Sequence, residues 1–346
     1  MMKHRSWWTV VLSAMAMLLA AAGCGSSSGS SKSNAASGSS RSASTQQVTL
    51  LLDWFPNPDH AALYVAQDQG YFKQASLDMT LQAPSNAADP AKLVATGNVP
   101  LGISYEPEVL IARASGLHVK AVGALIPVAL NSLISPGKQG VHSVAELAGK
   151  KLGDAGLASD TAYMKAILRK AAVPTSSVNE INVGSNLVSS MLSGSVNATI
   201  GGYRNVEAIQ LQDAGANPWV LPVTDAGVPS YNELVIIANS DRLKSDSAYQ
   251  NQVRKFLGAV SKANAAAIAN PTMAQNAVGT IAKGYSKPLL KKMVDATVPL
   301  LNNPKGFGYM DPNAWGLFGK WMYTQKLIPT PVDGAAAMTN AYLPGH

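Results

Sequence analysis

Cysteine is nearly absent: Cys24 is the only one in 346 residues, so no disulfide can form within the chain. Long apolar runs are equally scarce. Trp7 to Ala22 is too short for a comfortable membrane span, and no other segment approaches the roughly 20 residues that one needs. Phosphate and dinucleotide fingerprints are missing, since Gly123, Gly137 and Gly140 are spaced for neither. Gly184-Ser-Asn-Leu-Val188 lacks the final glycine of a nucleophile elbow. The five histidines, His4, His60, His118, His142 and His346, are dispersed, and none stands at a metal-binding spacing. Basic pairs such as Lys150-Lys151 and Lys291-Lys292 are scattered without interleaved aromatics, which argues against nucleic-acid binding. No cofactor, metal or catalytic residue is therefore expected.

What is there begins with Lys3, His4 and Arg5, followed by the apolar run and Gly23-Cys24. A basic start, a short apolar stretch and small residues read as a secretory leader over 1–23. Cys24 after Ala21-Ala22-Gly23 resembles a bacterial lipobox, whose cysteine is diacylated and becomes the mature N-terminus. That pattern prefers leucine where Ala21 stands; the alternative is an ordinary leader with an incidental cysteine. Residues 24–46 are mostly Ser, Gly, Ala and Asn, unable to form a core, and read as a flexible tether. An acylated cysteine on a polar leash would hold a folded unit on the extracytoplasmic face of a membrane. Without Lys3 and Arg5 the 27 basic residues exceed the 20 acidic ones by 5, consistent with a solvated surface.

Strand-length apolar runs then alternate with helical patterns, which argues for an α/β architecture. Gln47 to Leu52, Leu77 to Leu81, Pro100 to Ile103 and Val119 to Leu125 read as strands, separated by helices from Pro58, Asp89 and Pro107. The pattern restarts after Lys150, with strands at Lys151 to Asp154, Asn179 to Val183, Ala198 to Gly201, Trp219 to Pro222 and Glu233 to Ala238. Beyond Asp241 the chain is helical. This order predicts one lobe from 47–135 plus 238–346, a second from 136–237, and a helical tail packed on the first. The cleft between such lobes is a favoured ligand site.

The densest cluster of chemistry is Leu52 to Phe72, LDWFPNPDHAALYVAQDQGYF. Asn57 can cap a helix whose first position is Pro58 and whose first turn carries Asp59. Trp54, at a strand end, can stack on a planar ring, and Asn57, Asp59 and His60 can hydrogen-bond from the turn. Each also has a plain structural role, as core, cap or satisfied histidine. Tyr105 and Glu106 follow another strand. Tyr203 and Glu207, four apart after Gly201-Gly202, are expected on one helical face. Glu233 borders an apolar strand, where an unpaired carboxylate is costly. Asp160 and Thr161 open a helix, as contacts or as caps.

The 52–72 stretch, with APSNAADPAKLVATGNVPLGISYEPEVLIARASG, GGYRNVEAIQL, PSYNELVIIANSD and MDPNAWGLFGKWMYTQKLI, resembles binding proteins for pyrimidine precursors of thiamine. That family is related to sulfonate- and nitrate-binding proteins and to a fungal pyrimidine synthase. The resemblance covers essentially the whole chain after the tether. It implies a type II periplasmic binding protein fold and a role as the monomeric substrate-binding lipoprotein of an ABC importer, partnered by a permease and its ATPase. The implied ligand is of the formylaminopyrimidine or hydroxymethylpyrimidine type, and the residues suggest a ring stacked between Trp54 and Tyr105 or Tyr203, with Glu207 and Glu233 holding its amino groups. Three glutamates near the cleft, against Arg204 alone, disfavour the alternative sulfonate, taurine or nitrate ligand. The synthase relative uses its own histidine, iron and a cysteine-rich stretch. His60 matches that histidine, but Pro229-Ser-Tyr-Asn-Glu-Leu234 holds no cysteine, which favours transport.

Overall fold

The computed structural model describes residues 45–138 and 140–345. The expected leader, Cys24 and all but the last two residues of the expected tether lie outside the described residues.

The chain runs through β1 (Gln46–Leu51), α1 (Ala61–Asp68), α2 (Tyr71–Gln74), β2 (Leu77–Gln82), α3 (Asp89–Ala95), β3 (Leu101–Ser104), α4 (Glu106–Ala114), β4 (Val119–Ile126) and β5 (Asn131–Ser135). It continues with β6 (Lys151–Asp154), α5 (Ala158–Lys170), β7 (Asn179–Asn182), α6 (Leu187–Leu192), β8 (Ala198–Tyr203), α7 (Glu207–Asp213), β9 (Trp219–Pro222) and β10 (Leu234–Asn239). The tail is helical: α8 (Arg242–Ser245), α9 (Ser247–Ala269), α10 (Pro271–Gly279), α11 (Lys287–Thr297) and α12 (Pro312–Thr324).

Two five-stranded sheets result, in the orders β2-β1-β3-β10-β4 and β7-β6-β8-β5-β9. Strands β1, β2 and β3 are parallel, and β10 runs antiparallel between β3 and β4. In the second sheet β6 is parallel to β7 and β8, while β5 is antiparallel to β8 and β9. The lobe boundaries expected at 135 and 237 therefore shift. β5 belongs to the second sheet and β10 to the first, so the crossings run through 127–130 and 223–233. The reason is visible in β10, LVIIAN, whose six residues are all buried. A strand apolar on both faces belongs in the middle of a covered sheet, and that place lies in the first lobe.

The first sheet is covered by helices from both ends of the chain. Helix α9 packs on α1 and α2, where Phe256 stacks on Phe72 with ring centroids 5.6 Å apart and planes 6° from parallel. Helix α10 also rests on α1, and α12 packs on α4 through its buried face, which holds Trp315 and Phe318. Burying such side chains contributes about 1.5–3 kcal/mol each. The tail is thus the roof of the first lobe, as its lack of strands implies. α1 in turn fixes the turn that precedes it.

Candidate ligand-binding site

That turn starts where β1 ends. Asn57 caps a short 3-10 helix over Pro58–His60: its Oδ1 accepts from Asp59 N at 2.8 Å, and its own N–H donates to His60 Nδ1 at 3.3 Å. A backbone N–H can only donate, so His60 Nδ1 is unprotonated and the ring proton sits on Nε2. Nε2 then donates to Asp53 Oδ1 at 2.7 Å, and the Tyr105 hydroxyl donates to Asp53 Oδ2 at 2.9 Å. Asp53 is 1% exposed, so these two donors offset the cost of removing its carboxylate from water.

Asp53 forms part of the wall of a cavity of about 360 Å³ between the strand ends of the two sheets. Trp54, Asn57 and Tyr105 line it from the first lobe. Gly201, Tyr203 and Glu207 line it from the second, with Ala155, Leu157, Leu187 and Val206 adding apolar surface. Gly201 has φ +92°, and a Cβ there would lie 2.7 Å from Asp160 Oδ2, so only glycine fits. Glu207 does not share a helical face with Tyr203, which still belongs to β8. Instead Glu207 starts α7 and its Oε2 accepts Tyr203 N at 2.7 Å, the reach-back of a helix-start carboxylate. Burial lifts its carboxyl to about 7, against the lowering effect of that bond.

The other residues singled out from the sequence surround this cavity without lining it. Asp59 is fully buried behind the turn, where Asn205 Nδ2 donates to its Oδ1 at 2.7 Å and to Thr297 Oγ1 at 2.8 Å. Burial raises Asp59 to about 7. His60 is likewise at 0% exposure and points to Asp53. Glu106 turns to the opposite side, accepting Asn232 N at 2.8 Å, and burial raises it to about 8. Asp160 accepts from Asn131 Nδ2 and Ala155 N, both at 3.1 Å, and burial lifts it to about 7. Thr161 donates to Glu180 at 2.5 Å, on the outer side of α5. Gly202 packs between Ile134 and Glu207.

Glu233 is the largest departure from expectation. Its Oε2 accepts from Leu130 N at 2.5 Å, Asn131 N at 2.8 Å and the Tyr231 hydroxyl at 3.0 Å, while Oε1 faces the Tyr203 hydroxyl at 3.4 Å. It ties the two crossings together behind Tyr203, and does not line the cavity. Burial raises its carboxyl, and these four donors oppose the rise. Sequence reasoning passed over Asp53, because a polar residue at a strand end reads as a terminator. It also passed over Asn131, which bridges Asp160 and Gly201 N, and Asn205, which reaches Asp59 across the lobes. Among the described residues no group of three His, Cys, Asp or Glu is placed to hold a metal ion.

Known proteins resemble this chain in sequence and in fold. The NMT1/THI5-like family model matches residues 57–274. The formylaminopyrimidine-binding protein of Halalkalibacterium halodurans is 30% identical over 300 residues, covering 85% of this chain and 90% of the relative. The 4-amino-5-hydroxymethyl-2-methylpyrimidine phosphate synthase THI5 of Saccharomyces cerevisiae is 25% identical over 323 residues, covering 87% and 88%. The structure of the alkanesulfonate-binding protein SsuA from Xanthomonas axonopodis pv. citri bound to MOPS superposes with a TM-score of 0.67 at 15% identity, covering 86% of this chain and 99% of that one. Two sheet-centred lobes, a roof of C-terminal helices and a cavity at the strand ends are the type II periplasmic binding protein fold. The chain belongs to the NMT1/THI5-like family.

Proposed function

We propose that this chain is the substrate-binding lipoprotein of an ABC importer and captures a thiamine-related aminopyrimidine of the formylaminopyrimidine or hydroxymethylpyrimidine type. The observation that carries the reading is Asp53. A carboxylate already aligned by His60 and Tyr105 lines a cavity whose wall is mostly aromatic and apolar, and it can accept from a ring amine. Trp54 and Tyr203 supply faces for the ring, and Glu207 a second acceptor. The 30% identity to a formylaminopyrimidine-binding protein supports the same ligand class.

The cavity also weighs against an anion. Its charged lining residues are Asp53 and Glu207, both acidic, where a sulfonate or nitrate would need cationic or N–H donors. A synthase reading lacks its chemistry, since His60 is buried against Asp53 and 229–234 carries no cysteine. The lobes, 45–126 with 234–345 and 131–222, would close on the ligand, and the closed form would dock on the permease as a monomer. Acylation of Cys24 would hold the protein on the extracytoplasmic face.

Calorimetry with formylaminopyrimidine, taurine and nitrate tests the ligand. Tight binding of the pyrimidine alone is expected, and tight binding of taurine with no heat from the pyrimidine sinks the assignment. Intact-mass analysis of protein extracted from membranes tests the anchor, a diacylglyceryl group on Cys24 being the expected result.

A further inference from the structure

The two crossings, at 127–128 and 230–232, and the tail between 302 and 314 wall a second hollow of about 750 Å³. It shares no residue with the ligand cavity. Its rim is open to solvent, but Glu106 and Tyr231 in its wall are 2% and 3% exposed.

Glu106 is left incomplete there. Its Oε2 accepts Asn232 N at 2.8 Å, whereas Oε1 is buried and has no hydrogen-bond partner. Such an atom costs free energy unless a donor reaches it. The donors beside it are committed elsewhere. Asn232 Nδ2 donates to Pro127 O at 3.0 Å, and Asn232 Oδ1 accepts from Trp315 Nε1 at 2.7 Å, which fixes the amide. The Tyr231 hydroxyl donates to Glu233 at 3.0 Å. Lys305, the cation of the wall, donates to Asp311 Oδ2 at 3.3 Å and lies 4.9 Å over the Tyr309 ring.

The titratable groups facing Glu106 are Tyr231, Tyr163, whose buried hydroxyl does not reach it, and across the hollow Lys305, Tyr309 and Asp311. None offsets its burial, which raises the carboxyl to about 8 against the lowering effect of the Asn232 N–H. Glu106 and Asp311 outnumber Lys305, so the wall repels an anion and attracts a cation. The free oxygen requires that this cation also donate a hydrogen bond. Lys305 on Tyr309 and Asp311 already shows an ammonium seated against this wall.

We propose that this hollow is a second binding site, on the hinge, for a small primary ammonium that donates to Glu106 Oε1 and pairs with its carboxylate. Because the crossings form the wall, the occupant bears on the hinge and leaves the ligand cavity free. It also gives the Asn232 N–H a full carboxylate to donate to, a stronger bond than one to a neutral acid.

Titration of isotope-labelled protein with ethanolammonium, at neutral pH and constant ionic strength, tests this by nuclear magnetic resonance. The Glu106 carboxyl carbon should move saturably from its protonated towards its ionised position, and the Asn232 amide proton should exchange more slowly. Tetramethylammonium, which has the charge but no N–H, should leave both unchanged, as should acetate. Glu106→Gln keeps an acceptor for Asn232 N and should weaken ethanolammonium at least about tenfold. Val128→Trp places a large ring at the exposed rim without altering Glu106, and should block the amine while the carboxyl keeps its proton. A carboxyl carbon that does not move, an equal response to tetramethylammonium, or undiminished binding to Glu106→Gln overturns the site.

Discussion

His60 Nε2 and Asp53 Oδ1 stand 2.7 Å apart in the interior, with the other ring nitrogen receiving the Asn57 N–H. The histidine is therefore a neutral donor that orients a carboxylate, and its own ring is sealed from the cavity. A long-range nitrogen–proton correlation spectrum should show the Nε2-protonated tautomer, with Nδ1 unprotonated. An Nδ1-protonated spectrum contradicts this arrangement.

Asp53 is the residue whose loss should be felt most in binding. Asp53→Asn replaces an acceptor held by two donors with an amide that cannot satisfy both. A hydrogen bond to a charged group is worth about 1.5–3 kcal/mol, so affinity for an aminopyrimidine should fall about 10- to 100-fold. Calorimetry reads the change, and an unchanged Kd places the ligand elsewhere.

Gly201→Ala should weaken folding as well as binding. The residue sits at φ +92° with Asp160 pressed against the space a Cβ would fill. Strain of that kind costs of order 1–3 kcal/mol. Urea unfolding should show the loss, and Gly202→Ala, at an ordinary φ, should lose less.

Stability should decline as pH rises from about 5 to about 8. Burial raises Asp59, Asp160 and Glu207 to about 7 and Glu106 to about 8, so the native state holds protons that the unfolded chain has released. Where the native state binds more protons, unfolding free energy falls with increasing pH. The contribution is complete below the unfolded values of 3.8 and 4.5 and is lost as pH passes through the folded ones. Urea midpoints at pH 5, 6.5 and 8 measure it. A midpoint that rises over this interval contradicts the burial of these acids.

Phe256→Ala removes a fully buried ring stacked on Phe72 where α9 meets α2. It should cost about 3–5 kcal/mol in urea unfolding. Leu317→Ala, at a side chain 70% exposed, should cost far less.

Most strands and helices could be read from residue pattern, because apolar runs and caps are local. Asn57 followed by Pro58 forms the cap its order predicts, helix α3 starts at Asp89 as expected, and strands β6 and β9 keep their expected limits. β5 was not legible: NSLIS lies between Pro127 and Pro136, and its polar Asn131 and Ser132 are buried by partners that come later in the chain. The site was legible only at its rims. Trp54, Tyr105 and Tyr203 follow from strand ends, whereas Glu233 had its donors at Leu130 and Asn131, a hundred residues away in sequence. Long-range hydrogen bonds decide whether a buried carboxylate meets a ligand or a hinge, and no local pattern encodes them.

The position of β10 has a consequence for the order of assembly. It is the fourth strand of its sheet, between β3 and β4, yet the whole second sheet precedes it along the chain. A nascent chain that has reached residue 222 holds every strand of the second lobe, while the first still has a gap at its centre. The second lobe is thus the earliest unit able to mature, and the first is zipped shut by a late strand followed by its helical roof. The cavity, walled by residues from 53 to 207, thus waits for its first-lobe support on a strand that follows all of them in the chain.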